Sequence, residues 1–383
     1  RAEPDPVAAG HAIFANGQGP GPACANCHGR DGLGGGEGET PPVDWPALSA
    51  ATPARPAYDA AAFARALREG RGADGRILSR LMPRYELDAD QVAALAAYLR
   101  ALPDLQRQGV ASGRLRIGVF GDAYLAALRA ALGDQPIHGR GIELVPLPRN
   151  GPLPADSGLL AVIGPRAASL SAARQAAEQG IPVLFPLAPL TGGESPSIIR
   201  SFIPSERAAM QYLADQMAAE GPASVIVQAD PADDFADRLA AHLRVALARS
   251  GTEVHVRASG GRASDVVLWG DAAPLPEGLR RIWSFSVPVP ETLAAAPDAA
   301  PRVILTAPMI IGAAMKTGQP TLRIHAGLAA RLLAAALMQA GRDVTRTGLM
   351  QAFAQMPPPV PGLDYSRQPL TGTDRLQIIV IGR

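Results

Sequence analysis

Both cysteines of this chain lie in one pentapeptide, Cys24-Ala25-Asn26-Cys27-His28, preceded by the loop-like stretch GQGPGPA. Three chemistries use a C-x-x-C pair. A structural zinc takes four Cys or His ligands. Here there is no second cysteine pair, and His11, His138, His242, His255 and His325 have no finger-like spacing. A thioredoxin-type pair follows a strand and opens a helix, whereas the residues before Cys24 read as a loop. Covalent haem requires two thiols for the porphyrin vinyl groups and a histidine directly after the second thiol, the C-x-x-C-H signature. His28 stands at that place. The pentapeptide therefore predicts one covalently attached haem c, with Cys24 and Cys27 as thioether anchors and His28 as an iron ligand.

A low-spin electron-transfer haem takes a second strong ligand on the opposite face. Residues 77–102, ILSRLMPRYELDADQVAALAAYLRAL, offer Met82 in a loop, because Pro83 disfavours helix at the residue before it. Asp88 is placed to cap the next helix, whose Val92, Leu95, Ala96, Leu99 and Leu102 recur at three- and four-residue steps. A core position is the commoner fate of a methionine. The Met-Pro pair downstream of the pentapeptide favours an iron ligand.

Residues 7–102 resemble a class I cytochrome c domain. The stretches that carry the resemblance are AAGHAIFANG with Gly10 and Phe14, then CANCH, the Gly-rich loop GRDGLGGGEGET, and the closing half FARALREGRGADGRILSRLMPRYELDADQVAALAAYLRAL. The resemblance covers about a quarter of the chain. It implies His28 and Met82 as axial ligands, and leaves His11 on the first helix as a surface or supporting residue. Trp45 is expected to pack within this domain.

Charge argues against some partners. The net charge is +1 in 383 residues, so nothing points to nucleic acid. Residues 1–105 hold ten arginines and thirteen carboxylates, and the remainder is mildly basic. No run of 18 apolar residues is present, so no membrane span is expected. The sequence begins at Arg1, which fits a mature form after signal-peptide removal. Covalent haem is assembled outside the bacterial cytoplasm, so the periplasm is the expected location.

The polar stretch PDLQRQGVASGR follows, and the pattern then changes. LRIGVF, IELVPL, GLLAVIG, IPVLFPL, ASVIVQA, EVHVRA, DVVLWG, IWSFS and RVILTAP read as short buried strands. Helical stretches such as GDAYLAALRAALGD, AASLSAARQAAEQG, ERAAMQYLADQMAAEG and FADRLAAHLRVALARSG lie between them. Strands alternating with helices predict parallel sheets covered on both faces, and the length predicts two lobes. Trp269 and Trp283 are expected inside the sheets. The expected organisation is an all-α haem domain over 1–105, a linker at 106–114 and a two-lobed α/β domain over 115–383.

The larger segment resembles the type I periplasmic binding proteins, the group that includes branched-chain amino acid binders. The matching stretches are LRIGVF, AVIGPRAASLSAARQAAEQGIPVLFPLAPLTG, IIRSFIPSERAAMQYLADQMAAEGPASVIVQADPADDFADRLAAHLRVALARSG, SDVVLWG and HAGLAARLLAAALMQAG. The resemblance implies two Rossmann-like lobes, a multi-strand hinge and a ligand cleft. It looks closest to a branch associated with PQQ-dependent alcohol dehydrogenases. By analogy with the family, the cleft residues are Arg166, Ser169 and Thr191 after the third and fourth strands, with Phe235 closing from the second lobe. The acidic residue that pairs with an α-ammonium should fall near Pro204-Ser205, and Ser205 is not acidic. A small uncharged or anionic ligand is therefore expected in place of an amino acid, or none.

Two functions follow as expectations. One is a periplasmic electron carrier whose larger domain docks a partner or holds a small molecule, with a quinoprotein dehydrogenase as the candidate redox partner. The other is a solute-binding protein of an ABC-type transport system with an accessory haem domain. Catalysis is not expected, because a His/Met-ligated iron has no open coordination position.

Overall fold

The computed structural model describes residues 5–381 except 20, 35–39, 149–152, 154–156, 165–169, 192, 230–233, 258–259, 270–273, 286–301 and 312–320. The chain separates into two compact units. The first comprises residues 1–110 together with Val344–Gly348, and the second comprises residues 111–343 and 349–383.

Local signals set the helices of the first unit. Helix α1 (Pro6–Asn16) starts with Pro6 at its first turn and Asp5 accepting from the Val7 amide. Helix α2 (Cys24–His28) is the haem-motif pentapeptide itself, and α3 (Trp45–Ser49) is a single turn. Helix α4 (Ala60–Glu69) is capped by Asp59 and ends at left-handed Gly70. Helix α5 (Ala89–Gln106) opens with a capping box between Asp88 and Gln91. Helices α1 and α5 cross closely at Gly10, where a Cβ would lie 2.1 Å from the Ala94 carbonyl oxygen and 2.7 Å from Tyr98 Cβ. Phe14 packs on Tyr98 at that crossing, with ring centroids 5.4 Å apart. Ile13, Phe14, Phe63, Leu67, Leu95 and Leu99 form the centre of this unit's core. Trp45 joins its edge, T-shaped on Phe63 and covered by the Arg100 guanidinium. Val344–Gly348 belongs to the same unit. The Thr347 amide donates to Gln106 Oε1 at 3.0 Å and Arg346 donates to Gln108 Oε1 at 2.9 Å.

The second unit has two sheets. Strands β1 (Arg114–Phe120), β2 (Gly141–Leu147), β3 (Ala161–Ile163), β4 (Val183–Leu184) and β5 (Ile199–Arg200) form a parallel sheet of order β2-β1-β3-β4-β5. Helices α6 (Asp122–Leu132) and α7 (Leu170–Glu178) connect strands of this first lobe. The second lobe contains α8 (Glu206–Glu220), β6 (Ser224–Gln228), α9 (Asp234–Ala246), β7 (Glu253–Arg257), β8 (Asp265–Leu268), β9 (Arg281–Phe285) and β10 (Arg302–Pro308). The chain then forms α10 (Thr321–Ala340) and α11 (Arg346–Gln355), and returns as β11 (Leu376–Ile381). The second sheet runs β11-β10-β9-β8-β6-β7. The alternating pattern predicts parallel pairing, but β11 pairs antiparallel with β10. It returns after α10 and α11, and an antiparallel pair is not bound by the right-handed crossover rule for parallel strands.

Helix α10 follows a strand of the second lobe but packs with α6 of the first, where Tyr124 Oη and His325 Nδ1 are hydrogen bonded at 2.8 Å. At 20 residues and a mean hydropathy of 1.3 it is, among the described residues, the one helix long and apolar enough to cross a membrane. Its apolar length serves the lobe's core, where Ile324, Leu328, Leu332, Leu333 and Leu337 are buried.

His325 is fully buried, and burial holds its imidazole down at about 3 from an ordinary 6.5. The unfolded chain therefore binds this proton more readily between pH 6.5 and about 3. The His325 contribution to stability is complete above 6.5 and is lost as pH falls through that window. Urea unfolding of the full chain at pH 4.5 should show a loss of about 2–3 kcal/mol from this group relative to pH 7. His325→Gln should flatten that slope. An unchanged slope would assign the acid sensitivity to other groups.

Candidate haem site and inter-lobe loops

Cys24 and Cys27 are both half-buried thiols within α2. Burial pushes the Cys24 thiol up from its ordinary range, and a hydrogen bond with the Tyr85 side chain works in the opposite direction. Tyr85 also donates to the Pro22 carbonyl at 2.9 Å, tying the entry to the pentapeptide to the loop after Met82. A Cβ at Gly21 would lie 2.7 Å from the Tyr85 ring, so a glycine lets that ring close over the entry loop. His28 Nδ1 lies 2.8 Å from the Pro41 carbonyl oxygen. A carbonyl only accepts, so Nδ1 carries the proton and Nε2 presents its lone pair. The loop is drawn together further by Thr40 Oγ1 donating to the Cys27 carbonyl and by Val43 N donating to Gly32 O at 2.6 Å.

Met82 is half-buried against the core of this unit, packed with the cluster that contains Leu67, Tyr85 and Leu99. The Met82 amide donates to Ser79 O at 3.1 Å and the Met82 carbonyl accepts from Arg84. Backbone bonds thus hold this loop in shape without engaging the thioether sulfur. His11 is mostly buried beside Tyr98, 5.2 Å between ring centroids, and burial with the nearby Arg30 charge lowers its pKa.

The donor set suits haem c. It supplies two thiols separated by two residues, an imidazole whose Nδ1 is held by a carbonyl, and a thioether on a separate loop. Zinc is less well served, since among the described residues no three His, Cys, Asp or Glu side chains converge as a metal-binding group. The family described as Cytochrome c matches residues 7–103. The N-terminal unit is a cytochrome c domain. That family implies covalently bound haem c. Sequence reasoning missed Pro41 and Tyr85 in this cytochrome c domain. Pro41 acts through its backbone carbonyl, which any residue would offer. Tyr85 carried the one available signal, an aromatic three residues past the Met-Pro pair.

The second unit has the fold of the type I periplasmic binding proteins. A substrate-binding periplasmic protein from Ralstonia solanacearum superposes with a TM-score of 0.55 at 15% identity, covering 71% of this chain and 98% of that one. A leucine binding protein from Thermotoga maritima gives 0.50 at 14%, covering 70% and 98%. A solute binding protein from Rhodopseudomonas palustris in complex with 3,4-dihydroxybenzoic acid gives 0.51 at 14%, covering 70% and 92%. No curated protein matches the sequence significantly.

Of the inter-lobe residues expected from the resemblance, Arg166 and Ser169 lie outside the described residues. Thr191 is exposed, and both its amide and its hydroxyl donate to Glu194 Oε1, at 3.0 and 2.8 Å. Phe235 is placed differently from the expectation that it closes a cleft. It is 4% exposed, its ring lies 4.0 Å from that of Trp269, and Phe285 packs against both rings. It belongs to the second lobe's core because the first turn of α9 packs inward on the sheet. Trp269 and Trp283 are buried in that lobe as the sequence predicts.

Ser205 is the N-cap of α8, and its side chain accepts from the Ala208 amide. The next residue, Glu206, is a buried carboxylate that sequence reasoning passed over. Arg238 grips it with Nε to Oε1 at 2.6 Å and Nη2 to Oε2 at 2.9 Å. The Glu206 amide donates to the Leu190 carbonyl at 2.8 Å, so this ion pair sits beside the loop after β4. Both oxygens of this carboxylate are therefore engaged by a bidentate fork.

Proposed function

We propose that the chain is a periplasmic one-electron carrier fused to a solute-binding-like domain. A cytochrome c domain implies electron transfer, and haem c supplies a reversible one-electron couple. The observation that carries the reading is the His28–Pro41 bond inside a C-x-x-C-H helix, which readies Nε2 as an iron ligand. In this reading Cys24 and Cys27 would anchor one haem, His28 and Met82 would hold its iron, and the Tyr85 bond to Pro22 keeps the two loops together. Iron held by two protein side chains would favour a carrier over an enzyme. A quinoprotein dehydrogenase is the redox partner we put forward.

Haem that stays with the protein in acidified acetone would support the covalent link. Met82→Ala should lose the weak long-wavelength band of the oxidised protein, bind CO when reduced, and titrate at a lower potential. An unchanged spectrum would give the sixth position to another residue, with His11 the first to test.

The larger domain either docks a partner or holds a small uncharged or anionic ligand. A buried ammonium without a counter-charge costs several kcal/mol, about a thousandfold or more in affinity. Glu206, the acidic residue nearest the expected place, is already matched by Arg238. Isothermal titration of the full chain with leucine, isoleucine and valine should show no micromolar binding, and such binding would refute the assignment. The ligand of the Rhodopseudomonas palustris protein, an aromatic acid without an ammonium, illustrates the class we favour. A second reading, delivery of solute to an ABC-type permease, draws on the likeness in fold to substrate-binding proteins. A tightly bound small molecule in the purified chain would move it ahead.

A further inference from the structure

The first lobe's sheet is parallel throughout, and ligands of open parallel sheets sit outside the carboxyl ends of the strands. The loop after β4 lies at that edge, and its course is fixed. Phe185 turns the chain with φ at 51°, a value that costs a bulky residue strain, and its ring packs against those of Phe202 and Phe353 at centroid distances of 5.4 and 5.7 Å. Leu187, Ala188 and Leu190 are buried, and the Leu190 carbonyl accepts from the Glu206 amide at 2.8 Å. Thr191 then emerges into solvent. A polar residue carried on a packed, pinned loop holds its donors in one place.

Those donors converge. The Thr191 amide and hydroxyl both reach Oε1 of Glu194, at 3.0 and 2.8 Å. The point they define is therefore a place for a carboxylate oxygen, held by two charge-assisted bonds. Its occupant belongs to the chain itself and returns across Gly192-Gly193. Gly193 is exposed, and a Cβ there would meet nothing nearer than Thr191 Oγ1 at 4.0 Å. Packing at that link does not hold Glu194 in its seat, in contrast to the buried loop that carries Thr191.

We propose that Glu194 is a built-in competitor for the carboxylate of an incoming ligand, holding the two Thr191 donors until that ligand displaces it. The inference rests on the small-ligand form of the reading above and narrows the ligand to one with a free carboxylate. The displaced Glu194 side chain passes to water, and no covalent bond changes. No ammonium partner comes with the site, because Glu206 is matched by Arg238. A ligand that finds its donors free only part of the time binds more weakly by that fraction. With Glu194 seated about nine-tenths of the time, the loss is about tenfold. The domain then answers only to a carboxylate abundant enough to outcompete its own.

Isothermal titration of the full chain with acetate, lactate and benzoate, and with benzamide as the uncharged control, tests this in wild type, Glu194→Ala and Glu194→Ala/Thr191→Val. At least one carboxylate should bind Glu194→Ala about tenfold more tightly than wild type. Benzamide should gain nothing, and the added Thr191→Val should remove most of the gain. Glu194→Gln, which keeps an acceptor without the charge, should fall between alanine and wild type. Thr191 is exposed and Glu194 half-buried, so the variants should fold, which a thermal melt checks. No gain in carboxylate affinity for Glu194→Ala would reduce the contact to a clip that steadies the turn, and would overturn the proposal. So would a carboxylate that binds every variant alike, which would put the ligand elsewhere and leave the small-ligand reading standing. Micromolar leucine binding to wild type would refute that reading, and the Glu194→Ala comparison would then decide the competitor separately.

Discussion

Cells expressing Cys27→Ala are expected to yield almost no holoprotein, measured as haem that co-migrates with the chain under denaturing conditions. The thiol sits in α2 one residue before His28, and both are held by the same loop, through Thr40 to the Cys27 carbonyl and Pro41 to the imidazole. Removing the thiol would take away one of the two proposed thioether anchors, and with it a constraint that would hold haem beside the imidazole. The apolar groups that line this part of the domain, among them Met82 and Tyr85, would lose the group they were selected to face. The remaining apo-chain should be less stable, since a domain of this size depends on its cofactor for a sizeable share of its buried surface. Haem retained at wild-type level in Cys27→Ala would show that Cys24 alone suffices, and would overturn the two-thioether assignment.

Asp265→Ala is expected to destabilise the second lobe by about 3–5 kcal/mol, the range for breaking a buried ion pair from one side. Asp265 is fully buried. It accepts from Arg281 Nε at 2.7 Å, from Trp283 Nε1 at 2.8 Å and from Ser264 Oγ at 2.8 Å. Alanine would strand a buried indole N–H and one side of a buried guanidinium. Glu220 continues to hold Arg281 from the other side at 2.6 Å, which tempers the loss. Asp265→Asn keeps an acceptor for Trp283 but removes the charge, and should fall between alanine and wild type. Urea unfolding followed by Trp fluorescence separates the three. A loss below about 1 kcal/mol for alanine would mean that Arg281 re-forms its pairing with Glu220 alone.

The sequence was most legible where covalent or local chemistry constrains residue type. The C-x-x-C-H motif lies in a cytochrome c domain, and the expected cap Asp88 sits at the start of the helix it closes. The apolar runs Ile117–Phe120 of β1, Val225–Val227 of β6 and Val266–Leu268 of β8 match strands covered on both faces. What stayed hidden depends on distant partners. The two-residue β5 exists because β4 lies beside it, and no window that short carries a period. The direction of β11 is set by β10, some seventy residues earlier. Glu206 and Arg238 read as ordinary helix-surface charges until α8 and α9 are brought side by side. Phe235 could not be assigned from its pattern, since an aromatic in the first turn of a helix faces core or loop according to how the helix sits on its sheet.

The placement of α10 has a consequence for how the chain comes into being. The first lobe's sheet is complete in sequence by Arg200, yet the helix that covers Tyr124 and supplies Ile324, Leu328 and Leu333 begins at Thr321. A chain emerging from its amino end must hold that half-covered sheet while more than a hundred further residues appear, including strands of the second lobe. The lobe begun first is therefore finished last. Truncation after β10 would leave the face of α6 around Tyr124 open to water, an apolar surface prone to sticking to other chains. The segment cannot be shortened to a single lobe by cutting at one point. The first lobe's core is therefore completed only when the last sixth or so of the chain, from Thr321 onward, has been made.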